Sequence, residues 1–178
     1  MRYSARRCSI LEIRPVSTED AEQISRIRRL NGVREEVLAV TSERLDVTVD
    51  FIKSLSDEDR AFVAVEKKGE IAGMAVLIKN RSFRRRHSAM LAVMVAPYYQ
   101  EKGIGTALMK KLLDEADQKL GLHRLELLVL TDNTAAINLY KKFGFKIEAT
   151  RKNAAVKGGR FVDEYFMGRL NKKGDSAR

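Results

Sequence analysis

The spacing of hydrophobic and polar positions along this chain changes period several times, and each change marks an element. From Ser9 to Arg14, Ile10, Glu12 and Arg14 alternate with Leu11 and Ile13, the period of two of a strand, which Pro15 is expected to stop. Thr18 reads as an N-cap ahead of Glu19 and Asp20, and Ala21, Ile24, Ile27, Arg28 and Leu30 then recur at helical spacing as far as Gly32. A second helix is expected over 43–55, with Leu45, Val49, Ile52 and Leu55 inward and the acidic turn Ser56-Asp57-Glu58-Asp59 ending it. The stretch 33–42 between these helices has no clear period.

Short β-rich runs begin at Ala61. Phe62 to Glu66 and Ile71 to Lys79 flank the turn Lys67-Lys68-Gly69-Glu70 as an antiparallel hairpin, and Ser88 to Ala96 is apolar on both faces, as a central strand requires. A helix over 103–120 follows, its stripe made by Ile104, Leu108, Leu112, Ala116 and Leu120, flanked by Met109 and Leu113. Lys110, Lys111, Asp114, Glu115 and Lys119 are expected to face water, and Gly121 closes the helix. Arg124 to Leu130 is another strand. Asp132 or Asn133 caps a short helix through Lys142 that ends at Gly144, and Phe145 to Thr150 and Phe161 to Leu170 form a last antiparallel pair around a loop holding Gly158-Gly159. The order β-α-α-β-β-β-α-β-α-β-β predicts one α/β domain over 9–170. Its central sheet is mixed and flanked by helices, with parallel character only where the 103–120 helix crosses between two strands.

Composition narrows the partners. The longest apolar stretch, Ala89 to Pro97, falls far short of the ~20 residues that cross a bilayer, so no membrane partner is expected. Cys8 alone can form neither an intrachain disulfide nor a cysteine metal site, and no metal is expected. The N-terminal residues are basic without an apolar run or secretory cleavage pattern, which points to a cytoplasmic protein. The net charge of +10 raises nucleic acid as a partner. Much of it lies in the ends, 1–8 and 171–178, expected to be flexible basic tails, and in the cluster Arg81, Arg84, Arg85, Arg86, which suits a solvated turn; nucleic acid is therefore disfavoured. The last two strands offer edges to a second copy, so a homodimer is among the expectations.

Between the central strand and the 103–120 helix lies Gln100-Glu101-Lys102-Gly103-Ile104-Gly105-Thr106. A helix N-terminus carries unpaired N–H groups and roughly half a positive charge, and Gly103 and Gly105 let the main chain approach an anion, so this turn suits a phosphate. It is not the Walker loop, because Lys102 precedes Gly103 and no lysine follows Gly105, and the dinucleotide fingerprint fails at Leu108, where a small residue is needed.

The run from Val93-Met94-Val95 through Gln100-Glu101-Lys102-Gly103-Ile104-Gly105-Thr106 resembles the acetyl-CoA signature of the GCN5-related N-acetyltransferases, whose core is Gln/Arg-x-x-Gly-x-Gly/Ala. The segment Asn133 to Phe145 is similar to the family's following motif, in which an asparagine leads by seven residues a tyrosine near a Gly-Phe. The resemblance implies the family's fold and acetyl-CoA as cosubstrate. It implies further that the amides of Glu101 to Thr106 hold the pyrophosphate, that backbone groups of Val93, Met94 and Val95 pair with the pantetheine arm, and that the Val95 N–H polarises the thioester. Asn133 would bond the cofactor arm and Tyr140 would be the general acid. For the base the family offers a glutamate on the preceding strand or ordered water. Glu126 is a candidate, although Leu128 occupies the place expected of that glutamate, and His87 is another.

Glu35, Glu36, Asp163 and Glu164 could attract an ammonium, and Arg85 or Arg86 could pair with a carboxylate. Arg84 to His87 and Phe161 to Met167 resemble, more loosely, bacterial members that acetylate free amino acids and small amines. The expected activity is acetyl transfer to a small primary amine by direct attack. A protein N-terminus or lysine is the other acceptor, and a non-catalytic CoA-binding or nucleic-acid-associated module is the alternative of another class.

Overall fold

The structure is a computed structural model that describes residues 12–37 and 44–171. Its frame is a seven-stranded sheet in the order β1-β2-β3-β4-β5-β7-β6, made of β1 (Glu12–Pro15), β2 (Arg60–Val65), β3 (Ile71–Lys79), β4 (Ser88–Val95), β5 (Arg124–Leu130), β6 (Lys146–Lys157) and β7 (Arg160–Leu170). All neighbours pair antiparallel except β4 and β5, the strands joined by α3 (Ile104–Asp114). The mixed sheet is therefore the one expected.

Side-chain alternation divides the sheet into two packed faces. Phe62, Ala75 and Leu77 lie under α3 and α4 (Thr134–Lys142) with Leu108, Leu112 and Leu127. Val63, Met74 and Met94 occupy one row across β2, β3 and β4 and pack against Ile24, Ile27 and Ile52 of α1 (Ala21–Arg29) and α2 (Leu45–Ser54). Removing a Leu or Ile of these rows from water contributes about 1.5–3 kcal/mol.

Several expectations shift. Pro15 ends β1 opposite Phe62 instead of stopping the strand before itself, tolerable because β1 is an edge strand. Residues 9–11 of the expected strand, Cys8, and the tails 1–8 and 172–178 lie outside the described residues, whereas Asn171 is tied to the fold by its N–H to the His123 carbonyl at 2.8 Å. Ser17, and not Thr18, opens the first helical segment. Its N–H donates to Asp20 Oδ2 at 2.8 Å, and Arg14 grips the same carboxylate with two bonds of 2.7 Å. Leu45 is exposed, because α2 turns Thr48 and Ile52 inward instead.

The helix over 103–120 ends its α-helical part at Asp114 and continues as a π-turn, Glu115–Lys119. Glu115, three residues after Leu112 and seven after Leu108 on the buried face of α3, is itself buried and bonded to Lys119 (2.8 Å), Lys111 (3.0 Å) and Arg60 (3.2 Å), against its expected place in water. At the C-terminal end the strands are longer than expected. Gly158 and Gly159, at φ 56° and 75°, close a two-residue hairpin, and 151–157 continue β6 through a register shift between Arg151 and Ala155.

Candidate active site

The parallel pair β4 and β5 separates after three residue pairs, Ser88 with Arg124, Ala89 with Leu125 and Met90 with Glu126. Beyond them β4 keeps its full ladder to β3 but has no strand partner on its other side among the described residues. Ala96 N–H donates to Ala72 O at 2.9 Å, so alternation turns the Met94 backbone toward β3 and points those of Val93 and Val95 into the gap. The gap is thus lined by a strand edge that no neighbouring strand pairs, open to an extended ligand. Met94, expected to offer its backbone, is among the cavity's lining residues, but its peptide groups face β3 and its side chain belongs to the core under α1 and α2.

The gap forms part of a cavity of about 810 Å³, within the roughly 300–1,000 Å³ of small-molecule sites. At its end is the turn after β4. A 3-10 segment, Pro97–Tyr99, leads into Glu101 at φ 59° and Gly103 at φ 86°, and two left-handed residues so close together turn successive amides toward one side. Glu101 carries this conformation without being glycine, which costs about 1–2 kcal/mol. The first helical bond is from Ala107 N–H to Gly103 O at 3.0 Å, and the amides of Glu101, Lys102, Gly103, Ile104, Gly105 and Thr106 donate to no backbone carbonyl among the described residues. This donor row at a helix N-terminus fits a phosphate or pyrophosphate. The Ile104 side chain is buried in the core, so only its amide faces the site, and Lys102 holds its ammonium over the Tyr99 ring, 5.2 Å from the centroid. Gln100 is already engaged. Its side chain donates to Val95 O (3.1 Å) and its N–H to Pro97 O (3.2 Å), so it shapes the turn.

Tyr140 comes from α4 on the far side of the gap. Its residue surface is 5% exposed and its hydroxyl accepts the Val93 N–H. Burial pushes the phenol up to about 12, with the Val93 bond pulling the other way, so the group is neutral and able to donate throughout the physiological range. The Phe145 ring packs edge-on at 6.1 Å and fixes its orientation. Asn133 lines the cavity and caps α4, its side-chain oxygen accepting from Ala136 N–H at 3.0 Å.

Val76, Ile78, Met90, Ala92 and Leu128 give the cavity an apolar floor, and Val33, Glu36 and Val37 give it a wall. Glu36 and Asp132 both bind Lys157, which stands at the hairpin turn between β6 and β7. The structure does not bring Glu126 to this cavity: its carboxylate is bonded to Arg124, which also holds Glu148, and Leu128 is the lining residue of that strand. His87 and the exposed Arg84, Arg85 and Arg86 lie at the opposite end of β4 from the glycine turn, and Arg81 is bound to Asp59. Of the other expected carboxylates, Glu35 is exposed, Asp163 pairs with Lys152 at 2.7 Å and Glu164 with Arg151 at 2.6 Å.

Two contributors escaped the sequence reading. Gly73 of β3 faces Val95, where a Cβ would stand 2.7 Å from Met94 O and 3.2 Å from the Leu108 side chain. It allows β4 and α3 to meet where the gap opens, and an isolated glycine inside a strand was its available signal. Lys157 had none, since Glu36 lies 121 residues away.

Comparison with known proteins bears on the family and the fold. The family model described as Acetyltransferase (GNAT) family matches residues 26–145. The chain is 36% identical over 102 residues to the L-amino acid N-acetyltransferase AaaT of Escherichia coli, covering 57% of this chain and 63% of that protein. It is 30% identical over 161 residues to the spermidine N(1)-acetyltransferase of Escherichia coli, covering 88% and 78%. The chain thus spans less than two thirds of the first relative's length and more of the second's. Among solved structures, yncA from Salmonella typhimurium with its cofactor acetyl-CoA superposes with a TM-score of 0.80 at 27% identity, covering 94% of this chain and 97% of that one.

Proposed function

The chain belongs to the GNAT acetyltransferase family, and from that membership we propose that it transfers an acetyl group from acetyl-CoA to the nitrogen of a small primary amine. The observation that carries this reading is the splayed β4–β5 pair, which puts a strand edge without a strand partner, the amide row of the glycine turn and the Tyr140 hydroxyl around one cavity.

Acetyl-CoA supplies an activated acyl group and a thiolate leaving group. Its pyrophosphate suits the Glu101 to Thr106 amides, which are fixed in place and need no reorganisation on binding. Its extended pantetheine arm suits the free edge at Val93 and Val95, as an added strand would, and the Val95 N–H can polarise an acyl oxygen lying in the gap. The Tyr140 hydroxyl accepts the Val93 N–H through its oxygen, which leaves its own proton to donate to the departing sulfur. Asn133, its oxygen engaged in the cap, has its NH₂ left to offer the ligand arm. The amine enters over the apolar floor beside Glu36. Glu126 has no part in this reading; water entering at the cavity mouth takes the amine's proton, as in members that use no glutamate base.

Thiol release from acetyl-CoA over a panel of amines, amino acids and peptides tests the reading. Wild type is expected to turn over with small amines, and Tyr140→Phe to lose about 10²-fold or more in kcat with little change in acetyl-CoA affinity. Acetyl-CoA binding with no turnover on any amine would favour a binding module, and full activity in Tyr140→Phe would remove the assigned donor.

A further inference from the structure

The mouth of the cavity holds an ammonium group that belongs to the protein itself. Lys157, the last residue of β6, donates to Glu36 and, at 2.9 Å, to Asp132 Oδ2. Both carboxylates line the cavity, one from the segment after α1 and the other from the junction of β5 and α4. One lysine thus joins three elements remote in sequence, and its side chain is only 21% exposed although it stands beside a hairpin tip where Val156 and Phe161 are open to solvent. Glu36 is not satisfied by it. The second carboxylate oxygen, Oε2, is buried and accepts from no described residue. A buried acceptor left in that state costs about 1–3 kcal/mol, so the position is suited to one more donor than the chain provides.

The charges around it define that donor. Glu36, Glu101 and Asp132 line the cavity, and no lysine or arginine lines it among the described residues. An acceptor carboxylate in this seat would lie near Glu36 and Asp132 with only Lys157 to offset them, and two like charges at about 4 Å repel by roughly 1–4 kcal/mol between water and a protein surface. A cation meets the reverse. Exchanging the Lys157 ammonium for a ligand's preserves the ion pairs to Glu36 and Asp132 and returns the lysine to water at the hairpin.

We propose that Lys157 is an internal stand-in for the acceptor: at rest its ammonium occupies the seat formed by Glu36 and Asp132, and a cationic amine without a carboxylate displaces it. Glu36 is then the residue that selects the acceptor class, and Lys157 sets its apparent affinity by competing for the same seat. The inference rests on the acetyltransferase reading above.

Steady-state kinetics with 1,4-diaminobutane and L-ornithine, which differ by one carboxylate, test it in wild type, Lys157→Met, Lys157→Arg and Glu36→Gln, with the melting temperature of each recorded. Diaminobutane is expected to have the higher kcat/KM by about tenfold or more. Lys157→Met should lower its KM several-fold without moving the KM for acetyl-CoA, Lys157→Arg should keep KM near wild type, and Glu36→Gln should raise it about tenfold. Folded Lys157→Met with an unchanged or higher diaminobutane KM overturns the stand-in, as does a preference for ornithine. Those outcomes leave acetyl transfer intact, whereas no turnover on either amine or on the wider panel overturns both readings.

Discussion

A phenol held at about 12 does not readily surrender its proton to a thiolate whose conjugate acid lies near 8.5. Full transfer would be uphill by about 5 kcal/mol, so in the proposed reaction Tyr140 would serve the departing sulfur as a hydrogen-bond donor, with the charge shared along the bond. The same shift makes a stability prediction. Because the folded pKa is raised above the unfolded value of 10.0, the neutral phenol's contribution is fully present below pH 10 and is lost as pH rises toward 12. Denaturant melts of wild type and Tyr140→Phe across this window should show the wild type losing about 3 kcal/mol more than the variant. Parallel slopes would show that the burial penalty is absent. Tyr140 and Asn133 were legible because both stand at fixed spacings within one short segment. Glu36 with Lys157 was not, because an ion pair between residues so far apart leaves no local pattern.

The decisive element is the turn from β4 into α3, and its conformation depends on Gly103. An added Cβ there would touch nothing within 4 Å, so the cost of Gly103→Ala is purely conformational, about 1–2 kcal/mol at φ 86°. We expect that loss in denaturant melts together with a raised KM for acetyl-CoA and little change in the KM for the amine; a change confined to the amine would place the phosphate elsewhere. At the other end of α3, burial alone would push Glu115 up, yet the bonds from Lys119, Lys111 and Arg60 outweigh it and hold the carboxyl at about 2. Its stabilising contribution is present above pH 4.5 and is lost as pH falls toward 2. Glu115→Gln should therefore cost about 2 kcal/mol at neutral pH and flatten the acid limb of the stability curve, and an unchanged acid limb would show the pairs to be neutral overall. Hydrophobic spacing located α3 but could show neither the π-turn after it nor the burial of Glu115, since a charged residue at a core-facing position of the period is legible only once its cationic partners are in place. It failed at Leu45 for a related reason: a threonine that accepts from Arg28 (3.0 Å) and donates to the Arg44 carbonyl (3.2 Å) can take the buried face of α2 from a leucine.

Across the molecule, one departure from regular sheet geometry produces the site. A fully paired β4–β5 would close the gap, bury Val93 and Val95 in ladder bonds and leave α4 no access to β4. Three pairs and then separation give the sheet both its continuity and its cavity. The order of elements and the mixed sheet were legible from the chain, because hydrophobic period and turn residues agree at nearly every boundary. The length of the β4–β5 pairing was not, since both strands stay apolar where they diverge and sequence does not distinguish a strand facing a neighbour from one facing a cavity. The final hairpin was misjudged in the same way: 151–157 is polar and exposed, yet pairs with β7. The central claim is that this gap and the turn beyond it seat the acyl donor. Amide hydrogen exchange of the full chain with and without saturating acetyl-CoA tests it directly, and slowed exchange should concentrate in peptides covering Val93 to Val95 and Glu101 to Thr106. Binding that leaves those two segments unprotected while slowing exchange elsewhere would contradict it.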